Sequence, residues 1–446
     1  MEENENLLKR LLRSFDKQEG LDDLLMMAEH WNGFKRENAV RRLGMLGSPV
    51  AIPKLIVRVN DWVPQVREAA RSALLKLMIP KNAKAFAESL PDLFHLKTCG
   101  RDNHTRFIDN VLEYLLKVEN SESIREVAFS LEPKVARIAV RLCFDHSLLD
   151  RDELVNKCLS HPDVLVRNIA AGHLREVSGE TLSVLLKLAI KDPFMPIRRE
   201  AFQIYLKNSP EQGEVIANTF LFDRHISIRE LAITHLLRKG CDVRSIYSFE
   251  VTSGSQSISR KKFSILGLAY LGAKQEIPSI SQHLDNKSPG IRKSAIQALE
   301  KLMGDESKSL LVVALDDPSP SVAKEASRLI AKLKLKFGSH EIEEAINIHG
   351  NPHTLALTTR AMKTSNKWER LIFLLRVLGI TTDDNSSNKG MIQSELVKWD
   401  TDFNRSSSQP SALQIQMINR EYANCSYLLN ERRRRSIEFT LSGISR

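Results

Sequence analysis

The sequence predicts an all-α chain, an α-solenoid of about ten stacked helical hairpins closed by an atypical helical C-terminal cap. Three observations carry that prediction. One residue spacing recurs along most of the chain, start and stop residues for helices recur with it, and the composition suits helices packed through leucine and alanine.

The recurring spacing is an arginine followed by an apolar residue three positions on, usually alanine, and a large apolar residue seven positions on. Arg36 leads to Ala39 and Leu43, Arg67 to Ala70 and Leu74, Arg137 to Val140 and Phe144, and Arg167 to Ala170 and Leu174. Arg198 leads to Ala201 and Tyr205, Arg229 to Ala232 and Leu236, and Arg292 to Ala295 and Leu299. Successive anchors lie 30 to 32 residues apart almost throughout. The register therefore predicts two degenerate members, Arg260 with Phe263 and Ala323 with Ala326 and Ile330. Arg106 fits badly: it follows Arg67 by 39 residues, and Asp109 and Glu113 fill its apolar positions. A site is usually built once, whereas a pattern that returns about ten times is a structural unit.

Each unit reads as two short helices. The first is an apolar run such as "AIPKLIVRV" or "LLVVAL", long enough for two to three turns at about 3.6 residues per turn. The second carries the anchor and opens on start chemistry. Ser288 before Pro289 and Ser319 before Pro320 offer a capping hydroxyl ahead of a proline, whose missing N–H has no intrahelical partner at that position. Pro64, Pro133 and Pro196 occupy similar places, and Gly47, Gly240, Gly272 and Gly304 close units with a residue that tolerates the left-handed conformation. One hairpin of this size cannot bury enough apolar surface to fold alone, but stacked hairpins cover each other's faces.

The stretch "RRLGMLGSPVAIPKLIVRVNDWVPQVREAARSAL" from Arg41 to Leu74 resembles the HEAT repeat family, in its short bacterial type also named after phycobiliprotein lyases. So do "HPDVLVRNIAAGHL", "DPFMPIRREAFQIYL", "NKSPGIRKSAIQAL" and "DDPSPSVAKEASRLIAKL". The resemblance covers roughly residues 30 to 336 and implies the armadillo-like superhelix of that family. It also implies a role for Asp61, Asp192, Asp223 and Asp317, each six positions before an anchor: in the family such residues form an Asp–Arg ladder along the turns. The anchor arginines are thereby expected to be scaffolding.

The domains follow: an N-terminal capping helix in 1–30, the repeat solenoid in 31–336, a helical cap in 337–380, and 381–446 as polar linker and short helices with a basic tail. Two stretches, "TTDDNSSNKG" and "NRSSSQPS", are turn-rich and read as loops. Apolar residues make up 42% of the 446-residue chain and aromatic residues only 6%, which fits Leu/Ala-packed helices better than a β-sandwich or barrel. No apolar run reaches the ~18 residues of a membrane span and the first residues lack a signal sequence, so a cytoplasmic protein without membrane insertion is expected. Five cysteines, none in Cys-x-x-Cys spacing, read as reduced thiols.

Catalytic chemistry finds little to stand on. The single His340-Glu341 pair falls short of the several His-Glu pairs with which the HEAT-like deoxyhypusine hydroxylases hold two irons. Trp62 with Asp61 and Arg67 imitates the residue types of HEAT-like alkylpurine DNA glycosylases but belongs to the repeat's own turn. No bilin-specific feature, Walker loop, dinucleotide fingerprint or nucleophile elbow occurs. No cofactor, metal or catalytic residue is assigned.

The expected function is a non-catalytic scaffold or adaptor that binds a protein partner along the concave face, which the second helix of each HEAT unit lines. Trp31, Trp62 and the irregular third repeat near Arg101 to Arg106 are its candidate specificity features. The net charge is +10, and basic residues recur at core-avoiding positions of the anchor helix. Arg41, Arg71, Arg141, Arg199, Lys261, Lys293 and Lys324, with the run Arg432, Arg433, Arg434 and Arg435 in the tail, are the candidate partner-binding residues. The same residues supply the alternative, a nucleic-acid-binding solenoid that neutralises phosphates without reading bases. Glu37, Glu68, Asp145, Glu230 and Glu300 share the anchor-helix positions and interrupt any positive stripe. Oligomeric state is not legible.

Overall fold

The computed structural model describes residues 20–253, 257–338, 341, 351, 353–380, 386–403 and 408–444. Most of the capping helix expected in 1–30, and His340 of the His-Glu pair, lie outside them. Among the described residues every element is helical. The chain divides into two compact units, 1–213 and 214–446.

All ten anchor positions fall on helices, at Gly33–Leu46, Pro64–Leu77, Thr105–Leu116, Pro133–Asp145, Val164–Gly172, Met195–Asn208, Ile226–Arg238, Ile258–Tyr270, Pro289–Met303 and Pro320–Leu333. Within each unit these helices pack on one another as one layer: Gly33–Leu46 on Pro64–Leu77 in the first, Ile258–Tyr270 on Pro289–Met303 and then Pro320–Leu333 in the second. The shorter first helices, such as Ile52–Arg58 and Arg151–Leu159, pack against their own anchor helix and against each other as a second layer. The small residue three past the anchor sits at the closest approach: Ala39, Ala70, Ala170, Ala201, Ala232 and Ala295 are all buried. Gly44 shows how tight that approach becomes, since a Cβ there would lie 2.5 Å from the Cβ of Ala73 on the next anchor helix.

Start and stop signals behave differently. Pro64, Pro133, Pro289 and Pro320 open their helices, and Gly47, Gly240, Gly272 and Gly304 all adopt positive φ. The expected hydroxyl caps do not form. Ser288 and Ser319 occupy the N-cap position, but neither side chain accepts a cap hydrogen bond. Their turns are instead closed from two residues upstream, where Asn286 and Asp317 side chains accept the Ser288 and Ser319 backbone N–H groups at 2.9 and 2.7 Å.

In the second unit the core continues past the last repeat. Lys367–Ile380 packs against Ser386–Phe403 and Ala412–Cys425, and Ser386–Phe403 against Glu431–Ile444. Trp368 and Trp399 meet edge to face at 6.2 Å between ring centroids, and both are fully buried. Their indole N–H groups are satisfied by the Ser408 and Lys367 carbonyls, at 2.9 and 2.7 Å. Ile392, Leu396, Ile418, Leu429 and Ile437 join this core, so apolar residues scattered through a polar tail share one cluster with the final repeats.

Candidate functional site

Seven of the ten turns are closed by the residue six positions before the anchor, whose side chain accepts the backbone N–H two residues on; Gly100, Leu131 and Gly254 hold that position in the other three. His30 accepts from Asn32, Asp61 from Val63, His161 from Asp163, Asp192 from Phe194, Asp223 from His225, Asn286 from Ser288 and Asp317 from Ser319, at 2.7 to 3.0 Å. The anchor arginine locks the same turn. Arg36 donates one guanidinium nitrogen to the His30 and Trp31 carbonyls at 2.8 and 2.9 Å, and Arg167 does the same to His161 and Pro162 at 3.0 and 2.9 Å.

The remaining guanidinium nitrogens reach the carboxylate of the following turn. Arg36 meets Asp61 at 2.9 and 2.7 Å, Arg167 meets Asp192 at 2.8 and 3.4 Å, and Arg292 meets Asp317 at 2.7 Å twice. Arg137 takes Asp163 instead, at 2.9 and 2.6 Å, because the usual position in that turn holds His161. In the Arg36–Asp61 pair only 3% and 1% of the side chains remain exposed. Burial pushes the Asp61 carboxyl up, but the hydrogen bonds from Arg36 and the Val63 N–H outweigh it and hold the group below its ordinary range. The anchors are thus committed to the turns. What they leave for a partner is the outward face of the anchor helices.

That face carries the predicted basic residues, and many of them are already engaged. Arg41 pairs with Glu37 at 2.8 Å, Arg71 with Asp102 at 2.7 Å, and Lys293 lies 3.7 Å from Glu325. Lys261 donates to the Ser253 carbonyl at 3.0 Å. In the tail Arg433 reaches Asp400, Arg434 the Leu429 carbonyl, and Arg435 Glu431. Arg141, Arg199, Lys324 and Arg432 are exposed. Among the described residues neither unit gathers an unbroken positive stripe.

In the second unit two buried carboxylates explain why. Glu300 and Glu325 sit on anchor helices with 6% and 9% of their side chains exposed, and cations lie across them: Lys332 on Glu300 at 2.9 Å, Arg328 on Glu325 at 2.5 Å. Gln297 also donates to Glu325, at 2.8 Å. Burial pushes the Glu325 carboxyl up, but the hydrogen bonds from Arg328 and Gln297 more than offset it, so the group stays ionised. Beside these pairs a shallow groove of about 270 Å³ crosses four successive anchor helices, lined by Ile226, Leu266, Tyr270, Gln297, Lys301 and Arg328. Ile226 and Tyr270 are 54% and 39% exposed, and the Lys301 ammonium stands 4.9 Å from the Tyr270 ring. This is a mixed apolar and polar surface, suited to the side chains of another protein. Glu325 is not legible from spacing, because it stands two positions past Ala323, outside the positions that usually face outward.

The irregular third repeat has a structural explanation in the first unit. Its interval of 39 residues makes room for an extra short helix, Leu90–His95, and a loop that folds back on the preceding turn. Arg101 donates to the Asn60 carbonyl at 3.0 Å, and Asp102 meets Arg67 and Arg71 at 3.6 and 2.7 Å. His104 is buried between them; it receives a bond from Arg71 on Nδ1 at 3.4 Å and donates Nε2–H to the Asn60 side chain at 3.1 Å. Burial and then the Arg71 charge press its pKa down, consistent with a neutral imidazole.

Residues 250–331 match a family model described as HEAT repeats. No curated protein matches the chain. Similar solved structures include the complex of CpcE and CpcF of phycocyanin lyase from a Nostoc species, at 19% identity over 55% of this chain and 94% of that one, with a TM-score of 0.23. They include importin beta, at 11% identity over 92% of this chain and 59% of that one, TM-score 0.29. A structure of tubulin recruitment by microtubule polymerases with TOG domain arrays aligns at 11% identity over 90% and 99%, TM-score 0.22. Superpositions this loose bear no weight. The repeat assignment rests on the turn geometry and the family match.

Proposed function

We propose that this HEAT-repeat protein is a non-catalytic, cytoplasmic scaffold that grips a protein partner along the face built by its anchor helices. The observation that supports it is the burial of Glu300 and Glu325 beneath Lys293, Arg328 and Lys332. A surface meant for polyanions gains from uncompensated cations, because each phosphate contact works by releasing condensed counterions. Here the cations are tied to carboxylates, and the groove next to them offers Ile226, Leu266 and Tyr270, the apolar and aromatic content of a protein-binding surface. In this reading Tyr270 is the anchor, Lys301 and Gln297 supply polar contacts, and Lys261 and Lys324 form rim contacts that steer an acidic partner, while Arg41, Arg71, Arg141 and Arg199 serve the same purpose on the first unit's own anchor helices. The tail run Arg432 to Arg435 offers a further basic cluster to such a partner.

A photo-crosslinker placed at Tyr270 and, as a control, at the exposed Val313 on the first-helix layer tests the proposal in cells. Protein adducts at Tyr270 but not Val313, lost when Lys301 and Arg328 are reversed to Glu, are the expected result. Nucleic-acid adducts at Tyr270 would install the phosphate-binding alternative. So would duplex DNA binding that persists to physiological salt.

A further inference from the structure

The four tryptophans fall into two pairs with opposite treatment. Trp368 and Trp399 are buried and their indole N–H groups are bonded, as buried tryptophan requires. Trp31 and Trp62 are 79% and 66% exposed. Both stand five positions before an anchor, Arg36 and Arg67, so they occupy equivalent tips of consecutive turns. Arg101 holds the same position before Arg106 in the third hairpin. Elsewhere that position carries Glu132, Pro162, Pro193, Arg224, Ser255, Lys287 or Pro318, with no aromatic ring.

The tips are rigidly presented. Arg36 and Arg67 hold the Trp31 and Trp62 carbonyls at 2.9 and 3.3 Å, and the Arg36 guanidinium lies 5.3 Å from the centre of the Trp62 ring. Trp31, Trp62 and Arg101 line one cleft of about 410 Å³. Its charged residues balance: Glu29, Asp61 and Asp92 against Arg36, Arg58 and Arg101. Two of the arginines share Asp61, and Glu29 is further paired with Lys54.

We infer that this cleft is a docking site for a proline-rich segment of a partner protein in the polyproline II conformation. Three features specify that occupant. Equivalent positions in adjacent helical layers lie about 8–10 Å apart, and a polyproline II helix repeats every three residues, about 9.3 Å. Successive turns of the ligand thus meet Trp31 and Trp62 in step, and Arg101, folded back onto the Asn60 carbonyl, stands beside the second. Next, a proline-rich strand offers carbonyl acceptors and few N–H donors. The cleft answers with donors, the indole N–H groups of two exposed tryptophans and the part of the Arg101 guanidinium not spent on the Asn60 carbonyl. Finally, the balanced charge gives no pull on a polyanion, which separates this surface from the aromatic and basic grooves that bind single-stranded nucleic acid.

The cleft belongs to the first unit and the Tyr270 groove to the second, and they share no residue, so the two proposals fail independently. The test is fluorescence anisotropy of a labelled, end-blocked decaproline peptide against the full chain, with a Gly-Ser peptide and an oligouridylate of matched length beside it. Saturable binding of decaproline alone is expected. Trp31→Ala with Trp62→Ala should weaken it at least tenfold, and Trp31→Phe with Trp62→Phe, which keeps rings but removes both donors, should weaken it severalfold. Tyr270→Ala should leave it unchanged. Both Trp side chains are exposed, so unchanged circular dichroism will certify the fold of each variant. Absence of saturable decaproline binding overturns the proposal, as does tighter binding to oligouridylate or affinity indifferent to the double alanine variant.

Discussion

Arg370 donates to Glu395 at 2.9 Å, and the two stand 25 residues apart, the separation that joins Arg36 to Asp61, Arg167 to Asp192 and Arg292 to Asp317. Phe373 and Val377, three and seven past Arg370, are buried like the residues that follow most of the anchors, Arg106 and Arg260 excepted. The cap therefore reuses the rung that ties one repeat to the next, with Glu in place of Asp. Burial pushes the Glu395 carboxyl up, while the Lys398 hydrogen bond and the charges of Lys363, Lys398 and Arg370 more than compensate and hold it down. Paired charges this enclosed specify register more than they add stability, because desolvation consumes most of their attraction.

That asymmetry makes the rungs testable. Asp61→Asn keeps an acceptor for the Val63 N–H but leaves the buried Arg36 guanidinium without its counter-ion. Breaking one side of a buried pair costs about 3–5 kcal/mol, so the urea midpoint of the first unit should fall sharply. Arg36→Met with Asp61→Asn, which removes both charges, should recover much of the loss. A single variant as stable as wild type would mean that the turn bonds alone hold the repeats together.

Acid sensitivity should appear at another rung. Asp163 is held down to about 2, above all by the Arg137 hydrogen bond; burial opposes it next, and the Val166 and Leu165 backbone N–H groups with the Arg137 charge outweigh that opposition. A carboxyl that is more acidic folded than unfolded contributes stability above the unfolded pKa of about 3.9. That contribution is lost as pH falls toward 2. Stability of the first unit should decline across this window in wild type and more weakly in Asp163→Asn. Parallel pH profiles for the two proteins would contradict it.

Close helix approach gives a third expectation. At Gly44 an added Cβ meets Ala73 at 2.5 Å from its Cβ and 2.9 Å from its Cα, so the backbone of the next anchor helix must move. At Gly290 the nearest atom is the Lys262 Cδ at 3.3 Å, on a flexible side chain. Gly→Ala in a helix gains about 1 kcal/mol from propensity, and overpacking costs about 1–3 kcal/mol. Gly44→Ala should thus lower the melting temperature of the first unit, and Gly290→Ala should leave that of the second unchanged or raised. Equal effects of the two substitutions would refute the close contact.

Much of this was legible beforehand, and the exceptions have physical causes. The anchors, the apolar residues three and seven past them and the closing glycines repeat at one interval, so each supports the others. Asp163 escaped notice because it stands four rather than six positions before its anchor and replaces a partner lost to His161. The Arg370–Glu395 rung was hidden because 47 residues separate Arg370 from Ala323 and break the interval. Trp31 and Trp62 were visible as aromatic residues in turns, but their alignment with Arg101 emerges only when the third repeat is indexed from its own anchor. The depth of Glu300 and Glu325 depends on how neighbouring helices lean together, which helical spacing within one helix does not encode.

Those two carboxylates carry the sharpest expectation about the anchor-helix face. If they mask the cations above them, neutralising both should create a polyanion site where wild type has none. Glu300→Gln with Glu325→Gln frees Lys332 from one, and Lys293 and Arg328 from the other, side chains already 39% to 56% exposed and able to turn outward. The glutamine at position 325 can still accept from Gln297, so the fold should survive. Each phosphate contact adds about −0.9 to the slope of log affinity against log salt on duplex DNA. Three freed cations should therefore steepen that slope by up to about 3 and strengthen binding at low salt, while wild type stays weak. An unchanged slope would mean that the carboxylates do not suppress nucleic-acid binding, and the argument for a protein partner would then rest on the apolar groove at Tyr270 alone.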